Sequence, residues 1–174
     1  MNDFLDYIYD KSVELKKGFL ITEKKRWNEL TVLNELVVQL GHVYTVDCNS
    51  ILDEKYRNIC DLGDEISDVF FQLTLLLFYG KYNKNKIVYN NKSKNLSDFI
   101  VCLGQLNEAM LEKYGYRFSK ERVGFDSLES YILFKISNLF SIMFNYSTSK
   151  NIDIYKEFDL MFLDAFSFLS KYKL

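Results

Sequence analysis

The stretch LGDEISDVFFQLTLLLFY, residues 62–79, is apolar on nearly every side when it is drawn as a helix. A helix of this kind is expected at the centre of a protein, because other elements must cover all of its faces. Its polar residues Glu65, Asp68 and Gln72 fall within about 60° of one another at about 100° per residue. The stretch therefore predicts a central helix with one narrow acidic stripe.

The composition of the whole chain favours a helical fold around this segment. The chain has 174 residues, with no proline and seven glycines, and 48% of its residues are hydrophobic. The absence of proline favours long helices with short connections, and the apolar share is sufficient for a core, which argues against intrinsic disorder. We expect one all-α domain over residues 1–174.

Helical periodicity recurs along the chain, and a stretch rich in Lys and Asn, residues 81–94, separates two halves. The motif-bearing half is expected at 20–80 and a degenerate second half at 96–174, each a helical hairpin. The predicted helices, six in number, cover residues 3–17, 22–46, 62–79, 96–114, 127–145 and 154–171.

The two halves are similar in sequence. Residues 65–71 read EISDVFF and residues 135–141 read KISNLFS, an offset of 70. Upstream, residues 39–42 (QLGH) align with residues 105–108 (QLNE) at an offset of 66. Residues 33–35 (LNE) align instead with residues 106–108 (LNE) at an offset of 73, and the sequence does not decide between the two alignments. The repeated order of elements favours a duplication that produced two packed helical hairpins.

The acidic stripe requires compensation, because burying unpaired carboxylates costs several kcal/mol each. Either a cation, an aqueous cleft, or Arg and Lys side chains from a neighbouring helix would provide it. On the preceding helix, Glu35, Gln39 and His42 also fall within about 60°. Antiparallel packing would bring them opposite Glu65 and Asp68. Such a site suits a hard divalent cation completed by waters and phosphate oxygens.

Two segments, LNELVVQLGHV at residues 33–43 and LGDEISDVFFQL at residues 62–73, resemble the MazG-like, all-α nucleoside triphosphate pyrophosphohydrolases, a superfamily that includes the dimeric dUTPases. The resemblance covers about a third of the chain, with the second half as a degenerate copy. It implies a site in which Mg²⁺, or Mn²⁺ in its place, gathers the triphosphate and activates water for release of pyrophosphate.

By this resemblance Glu65 and Asp68 are metal ligands, and the set extends to Glu35 and Gln39 on the preceding helix. Gln39 and His42 occupy the positions at which the family has its first acidic pair, so two carboxylates are missing. Glu35 lies one turn earlier and replaces part of the lost charge. His42 is a candidate general base for the attacking water, together with Glu35 as a catalytic residue.

The missing carboxylates leave two functions open, because affinity for hard cations follows the charge of the ligands. The chain is either an active MazG-like hydrolase that converts a nucleoside triphosphate to monophosphate and pyrophosphate, or a catalytically impaired relative that binds nucleotide or a protein partner. A third reading, a purely structural helical module, requires protein cations to pair with the stripes. In the second half, Lys135 and Asn138 replace the acidic pair, which predicts a scaffold role.

Trp27, Lys81 and Lys84 are the candidate nucleotide-binding residues. Trp27 is suited to stacking on a nucleobase, with core packing as the alternative. Lys81 and Lys84 follow the acidic helix, where the resemblance implies phosphate-contacting groups; a solvated linker is the alternative. The aromatic surplus of the second half predicts an apolar surface for a homodimer.

The charge balance, 22 Lys and Arg against 24 Asp and Glu, gives no general attraction for nucleic acid or anionic membranes, so neither is expected as a partner. The three cysteines, Cys48, Cys60 and Cys102, are odd in number and widely separated, which suits a reducing compartment. The acidic start of the chain does not read as a signal peptide, and the longest apolar run is too short to span a bilayer. We expect a cytoplasmic protein.

Overall fold

The computed structural model describes residues 2–20, 23–47, 61–118 and 122–171. Over these ranges the regular structure is helical and contains no strand, which confirms the predicted all-α bundle. None of the helices in these ranges is both long enough and apolar enough to cross a membrane.

The bundle consists of six α-helices and one short 3₁₀ turn in the described parts of the chain. Five of the helices begin and end within a few residues of the predicted bounds. The helices are α1 (Asn2–Phe19), α2 (Glu29–Asp47), α3 (Leu62–Gly80), α4 (Leu96–Lys113), α5 (Leu128–Ser149) and α6 (Ile154–Ser170), and the 3₁₀ turn is Lys84–Lys86.

The start of α2 differs from the prediction. Residues 23–28 are not helical, so the prediction that the helix includes them is wrong. The predicted first residue of the helix, residue 22, lies outside the described residues. Asn28 caps the N-terminus of α2, because its Oδ1 accepts a hydrogen bond from the backbone N–H of Thr31 at 3.0 Å. This is the usual role of Asn at a helix N-terminus, where free N–H groups need an acceptor. Trp27 consequently lies in a loop and not on α2.

Helix α3 is the centre of the fold, as its sequence predicts, since α1, α2, α5 and α6 all pack against it. Its N-terminus is capped by Asp61, whose Oδ1 accepts from the backbone N–H of Gly63 at 2.7 Å. The helix ends before Lys81, which has a left-handed backbone with φ of 54°. Phe70 and Leu73 are fully buried on it. Each such side chain contributes about 1.5–3 kcal/mol by burial.

The helices pair as two antiparallel hairpins, α2 with α3 and α4 with α5. The hairpins meet at Phe70 and Phe140, whose rings stack with centroids 6.1 Å apart. These two residues correspond at the offset of 70. So do Ser67 and Ser137, each of which donates a 2.8 Å hydrogen bond to the carbonyl four residues earlier. These correspondences add geometric support to the duplication, which stays an inference.

A buried polar network joins the start of α2 to the end of α4. The Glu29 carboxylate accepts hydrogen bonds from Lys113 Nζ at 2.8 and 2.9 Å and from the Tyr114 hydroxyl at 2.5 Å. Lys113 also donates to the Tyr82 hydroxyl at 2.9 Å. Gly80 packs so closely here that a Cβ would lie 2.4 Å from Glu29 Oε1. The network satisfies a carboxylate that is only 3% exposed.

Candidate functional site

A cavity of about 440 Å³ lies where α1, α2, α3 and α6 meet the loop that precedes α2. Its acidic wall contains four carboxylates, those of Glu35, Asp64, Asp68 and Asp164. The remaining wall includes the aromatic side chains Phe19, Trp27 and Phe71 and the polar side chains Lys16, Glu23, Gln39 and Gln72.

Two of the three residues of the predicted stripe of α3, Asp68 and Gln72, line the cavity, whereas Asp64 takes the place predicted for Glu65. Asp64, Asp68 and Gln72 line the cavity, and a spacing of four residues keeps them within about 80° on one face of the helix. Glu65 does not line the cavity. Its side chain is 3% exposed, and its Oε2 lies 3.4 Å from Nδ1 of His42. Glu65 therefore lies behind the acidic wall and adds negative charge without reaching the opening.

Helix α2 connects the cavity wall to Glu65 through a series of polar contacts. Gln39 Nε2 donates to Glu35 Oε1 at 3.1 Å. Gln39 Oε1 lies 3.1 Å from Nδ1 of His42, which is also the nitrogen that faces Glu65. Glu35 and Gln39 line the cavity, whereas His42 does not. The contacts orient Gln39 and Glu35 toward the cavity from the outer face of the α2–α3 hairpin.

The acidic wall has an excess of negative charge. Burial raises the pKa of Asp68 to about 7, and the nearby carboxylates of Asp64, Glu65 and Glu35 add to the effect. Burial likewise raises the pKa of Asp64, with contributions from Glu65 and Asp164. No Lys or Arg within the described ranges forms an ion pair with Asp64 or Asp68. Carboxylates that raise one another's pKa in a cavity are typical of functional sites.

Gln72 carries an unusual buried oxygen. The side chain is 4% exposed, and its Oε1 has no hydrogen-bond partner in the part of the chain that the structure describes. A buried amide oxygen without a donor costs about 1–3 kcal/mol. Because Gln72 lines the cavity, a ligand, a water or a cation in the cavity would satisfy this oxygen.

The other end of the cavity contains a compensated charge. Lys16 is 4% exposed, and its Nζ forms an ion pair with Glu23 Oε1. The same Nζ lies 3.8 Å from the centre of the Trp27 ring, a cation–π contact. Burial lowers the pKa of Lys16 to about 8. The cavity thus has a negative end on α3 and a neutralised, aromatic end beside Trp27.

The structure brings together five of the residues that the sequence singles out: Trp27, Glu35, Gln39, Asp68 and Gln72. It does not bring Lys81 or Lys84 to them. Lys81 lies beyond the end of α3, about 20 Å along the helix from Asp68. Lys84 forms an ion pair with Asp6 at 2.7 Å, which holds it against α1.

Four charged residues of the cavity were not singled out from the sequence as site residues: Lys16, Glu23, Asp64 and Asp164. Asp64 had a local signal, because it precedes Asp68 by four residues and so shares its face of the helix. Lys16 lies on α1 and Asp164 on α6. No local spacing relates these helices to α3, so the sequence carries no signal that would place them there.

The corresponding position in the second half has different surroundings. Asn138 lines a separate cavity of about 620 Å³ whose charged residues include Lys86 and Lys92. Its Oδ1 accepts a 2.7 Å hydrogen bond from Asn90. Lys135, which corresponds to Glu65, donates to Gln105 Oε1 at 2.6 Å. These contacts hold the connecting segment and α4 against α5. The scaffold role of this half stays a prediction.

The acidic wall does not contain a complete set of protein ligands for a metal. Among the described residues, no group of three or more His, Cys, Asp or Glu side chains is placed to hold a metal ion. Mg²⁺ in phosphate-transfer sites needs fewer, since one or two carboxylates with waters and substrate phosphates complete its octahedron.

Comparison with known proteins finds no family model that matches the chain, no matching curated protein and no matching solved structure. The MazG-like resemblance therefore depends on the residues of the two segments.

Proposed function

We propose that this protein is a divalent-cation-dependent nucleoside triphosphate pyrophosphohydrolase of the MazG-like type. The observation that carries the proposal is that Glu35, Asp64 and Asp68 line one cavity, in which no Lys or Arg of the described residues forms an ion pair with either aspartate. A cation between these carboxylates would offset their mutual repulsion, whereas a purely structural site would use Arg or Lys.

The donor atoms of the acidic wall fit Mg²⁺ or Mn²⁺. The carboxylates of Asp64 and Asp68 and the amide oxygen of Gln72 are hard oxygen donors, the type these ions prefer, and two carboxylates with waters and phosphate oxygens complete the octahedron of Mg²⁺. When bound, such an ion supplies charge neutralisation for the triphosphate. Glu65 contributes charge from behind the wall and is not among the residues that would contact the ion.

The size and polarity of the cavity suit a nucleotide. Its volume, about 440 Å³, lies within the range of small-molecule sites. The end beside Trp27 offers apolar surface to a base, while the acidic end takes the cation and the phosphates. The nucleotide would therefore lie along the cavity with its base near Trp27.

Glu35 is the proposed general base for the attacking water. It lines the cavity, and the hydrogen bond from Gln39 fixes one of its two oxygens, so the other is available to a water. His42 lies outside the cavity, and the role that we propose for it is to position Gln39 and Glu65 through Nδ1. Of the two candidate general bases, Glu35 and His42, Glu35 is therefore the one that we propose takes the proton from the attacking water.

A second candidate function, nucleotide binding without hydrolysis, uses the same cavity. The presence of Gln39 in place of a carboxylate favours it, and so does the lack of a three-ligand acidic group in the described residues. Both weaken a hard cation site, because affinity follows ligand charge.

The test is a panel of canonical and modified nucleoside triphosphates, assayed for pyrophosphate release with Mg²⁺ and with Mn²⁺. We expect release from at least one nucleotide, and a loss of about 100-fold or more in Asp68→Asn and Glu35→Gln. Asp10→Asn, an exposed carboxylate of α1 outside the cavity, is the matched control. No release from any nucleotide with either metal overturns the hydrolase proposal. Nucleotide-dependent thermal stabilisation in that case supports the binding function.

We also propose a homodimer in the cytoplasm as the working form. Leu160, Leu163 and Phe168 on α6 are 46%, 62% and 45% exposed, so this helix presents apolar surface to solvent. Light scattering after size-exclusion chromatography should give twice the chain mass of 20.7 kDa. A strict monomer at all concentrations contradicts the dimer.

A further inference from the structure

The aromatic end of the cavity contains a buried carboxylate oxygen that the proposed hydrolysis does not use. Glu23 forms its ion pair with Lys16 through Oε1. Its Oε2 has no hydrogen-bond partner among the described residues, and the side chain is 10% exposed. A buried acceptor without a donor is costly, so a ligand that brings a donor to it gains affinity. Glu23 lines the cavity, so a bound ligand can reach it.

The pairing with Lys16 restricts what Glu23 can bind. Lys16 supplies the positive charge that the Glu23 carboxylate needs, so this end of the cavity lacks the excess negative charge that surrounds Asp68. Because the Glu23 charge is already neutralised, this end of the cavity offers no net negative charge to attract a second cation. A neutral group with an N–H donor fits the free oxygen, because a carboxylate accepts hydrogen bonds and cannot donate them.

The aromatic neighbour adds a planar surface to this acceptor. Trp27 lines the cavity and packs partly buried against the core, and Lys16 Nζ lies 3.8 Å from the centre of its ring. A ring stacked on Trp27 with an N–H group at its edge would use both features at once. A nucleobase that carries an exocyclic amine has this shape and this donor.

We propose that Glu23 is a specificity-determining residue that selects nucleobases with an exocyclic amine over those with a carbonyl oxygen at the same ring position. The inference rests on the proposed binding of nucleotide in this cavity. An amine donates to Glu23 Oε2, whereas a carbonyl oxygen places two acceptors against each other. Sites that hydrogen-bond a substrate group reject analogues that lack it, because the buried site atom then stays unpaired.

Two matched pairs of nucleotides test this selectivity: cytidine against uridine, and adenosine against inosine, each as the α,β-methylene triphosphate with Mg²⁺. In each pair the amine is replaced by a carbonyl oxygen and the adjacent ring nitrogen gains a hydrogen, so donation from that ring N–H to Glu23 would favour the carbonyl member and contradict the inference. Titration calorimetry on the full chain should show the amino nucleotide binding about tenfold or more tightly in at least one pair. In Glu23→Gln the preference should fall to about twofold, because an amide presents either a donor or an acceptor.

The controls separate recognition of the base from folding and from catalysis. Glu14→Gln, an exposed residue of α1, should retain the preference. If Glu23→Gln does not fold, Glu23→Asp, which withdraws the carboxylate by one methylene, carries the same test. Equal affinity within both pairs, or a preference that persists in the Glu23 variant, overturns the inference even if the natural nucleotides are hydrolysed. A preference that depends on Glu23, without pyrophosphate release from any nucleotide, supports it while the hydrolase proposal fails.

Discussion

Asp68 follows Asp64 by one turn on α3, and both carboxylates line the same cavity. Burial and the neighbouring acids raise the pKa of Asp68 to about 7, whereas the pKa of an aspartate in an unfolded chain is about 4. The folded protein therefore binds this proton more tightly than the unfolded chain does. The resulting stability is present at low pH and is lost as the pH rises from about 4 to about 7.

Asp68→Asn should remove this pH dependence and stabilise the ligand-free protein. At pH 8 we expect a gain of about 2 kcal/mol in the free energy of unfolding, because the variant no longer ionises among other carboxylates. At pH 4 and below the two proteins should differ little. Urea denaturation at pH 4, 5, 6, 7 and 8 measures the effect, with Asp10→Asn as control. Parallel pH curves for wild type and Asp68→Asn would contradict the electrostatic account.

Divalent cations should stabilise the wild-type protein and not the variant. Mg²⁺ at 100 times its dissociation constant is expected to raise the free energy of unfolding by about 2.7 kcal/mol at pH 8. The effect should decrease toward pH 5, as Asp68 is protonated, and should be small in Asp68→Asn. Thermal melts across a series of Mg²⁺ concentrations measure it. A melting temperature that rises equally in both proteins would show that the cation binds elsewhere.

Gly80→Ala and Gly104→Ala should change stability in opposite directions. A Cβ at Gly80 would lie 2.1 Å from Tyr82 Cε2 and 2.4 Å from Glu29 Oε1, whereas nothing lies within 4 Å of one at Gly104. We expect Gly80→Ala to cost about 1–3 kcal/mol through overpacking. Gly104→Ala, in an exposed part of α4, should gain about 0.5–1 kcal/mol from helix propensity. Urea denaturation measures both, and a neutral Gly80 variant would refute the close packing.

Lys113→Met should destabilise the fold by leaving the buried Glu29 carboxylate without its cation. We expect a loss of about 2 kcal/mol, less than for a fully buried pair, because Lys113 is 34% exposed. Arg117→Ala removes a surface ion pair with Glu108 and should cost less than about 1 kcal/mol. Adding Glu29→Gln to Lys113→Met should restore part of the loss. Equal effects of the two single variants would argue against a special role for the network.

The thiol of Cys102 should be inert in the native protein. Burial raises its pKa to about 11, and it donates a weak hydrogen bond to the Lys135 carbonyl at 3.4 Å. Cys48 and Cys60 lie outside the described residues, so the measurement uses a variant with both replaced by serine. Ellman's reagent at pH 8 should react about 100-fold or more slowly than in denaturant. Rapid reaction of the folded variant would contradict the burial of Cys102.

The helical bundle was predictable because its signals are local. Residues 62–79 are apolar on nearly every side, and this segment is the central helix α3. The start of α2 was not predicted correctly, since Asn28 caps the helix after a loop whose sequence also has helical periodicity. The hydrogen bond from Thr31 N–H to Asn28 decides that the helix begins after Asn28, and hydrophobic periodicity carries no information about such a capping contact.

The acidic wall was predictable in kind and not in detail. The sequence indicates a carboxylate stripe on α3, and Asp68 does line the cavity. It does not distinguish Asp64 from Glu65, which differ by about 100° around the helix. The packing of α1 and α6 against α3 decides which of them faces the opening. Glu65 is consequently buried beside His42, and Asp64 takes its place in the wall.

Composition and periodicity alone specified an all-helical chain with a central apolar helix and an acidic stripe, because secondary structure and burial pattern follow from neighbouring residues. The tertiary structure decided that Lys16, Trp27 and Asp164 join that stripe around one cavity. These residues are far apart in sequence, and only the packing of their helices and loop brings them together. The physical reason is that a helix apolar on nearly every side, such as α3, has no single face that fixes its rotation, so the packing of its neighbours decides which polar residues face the cavity.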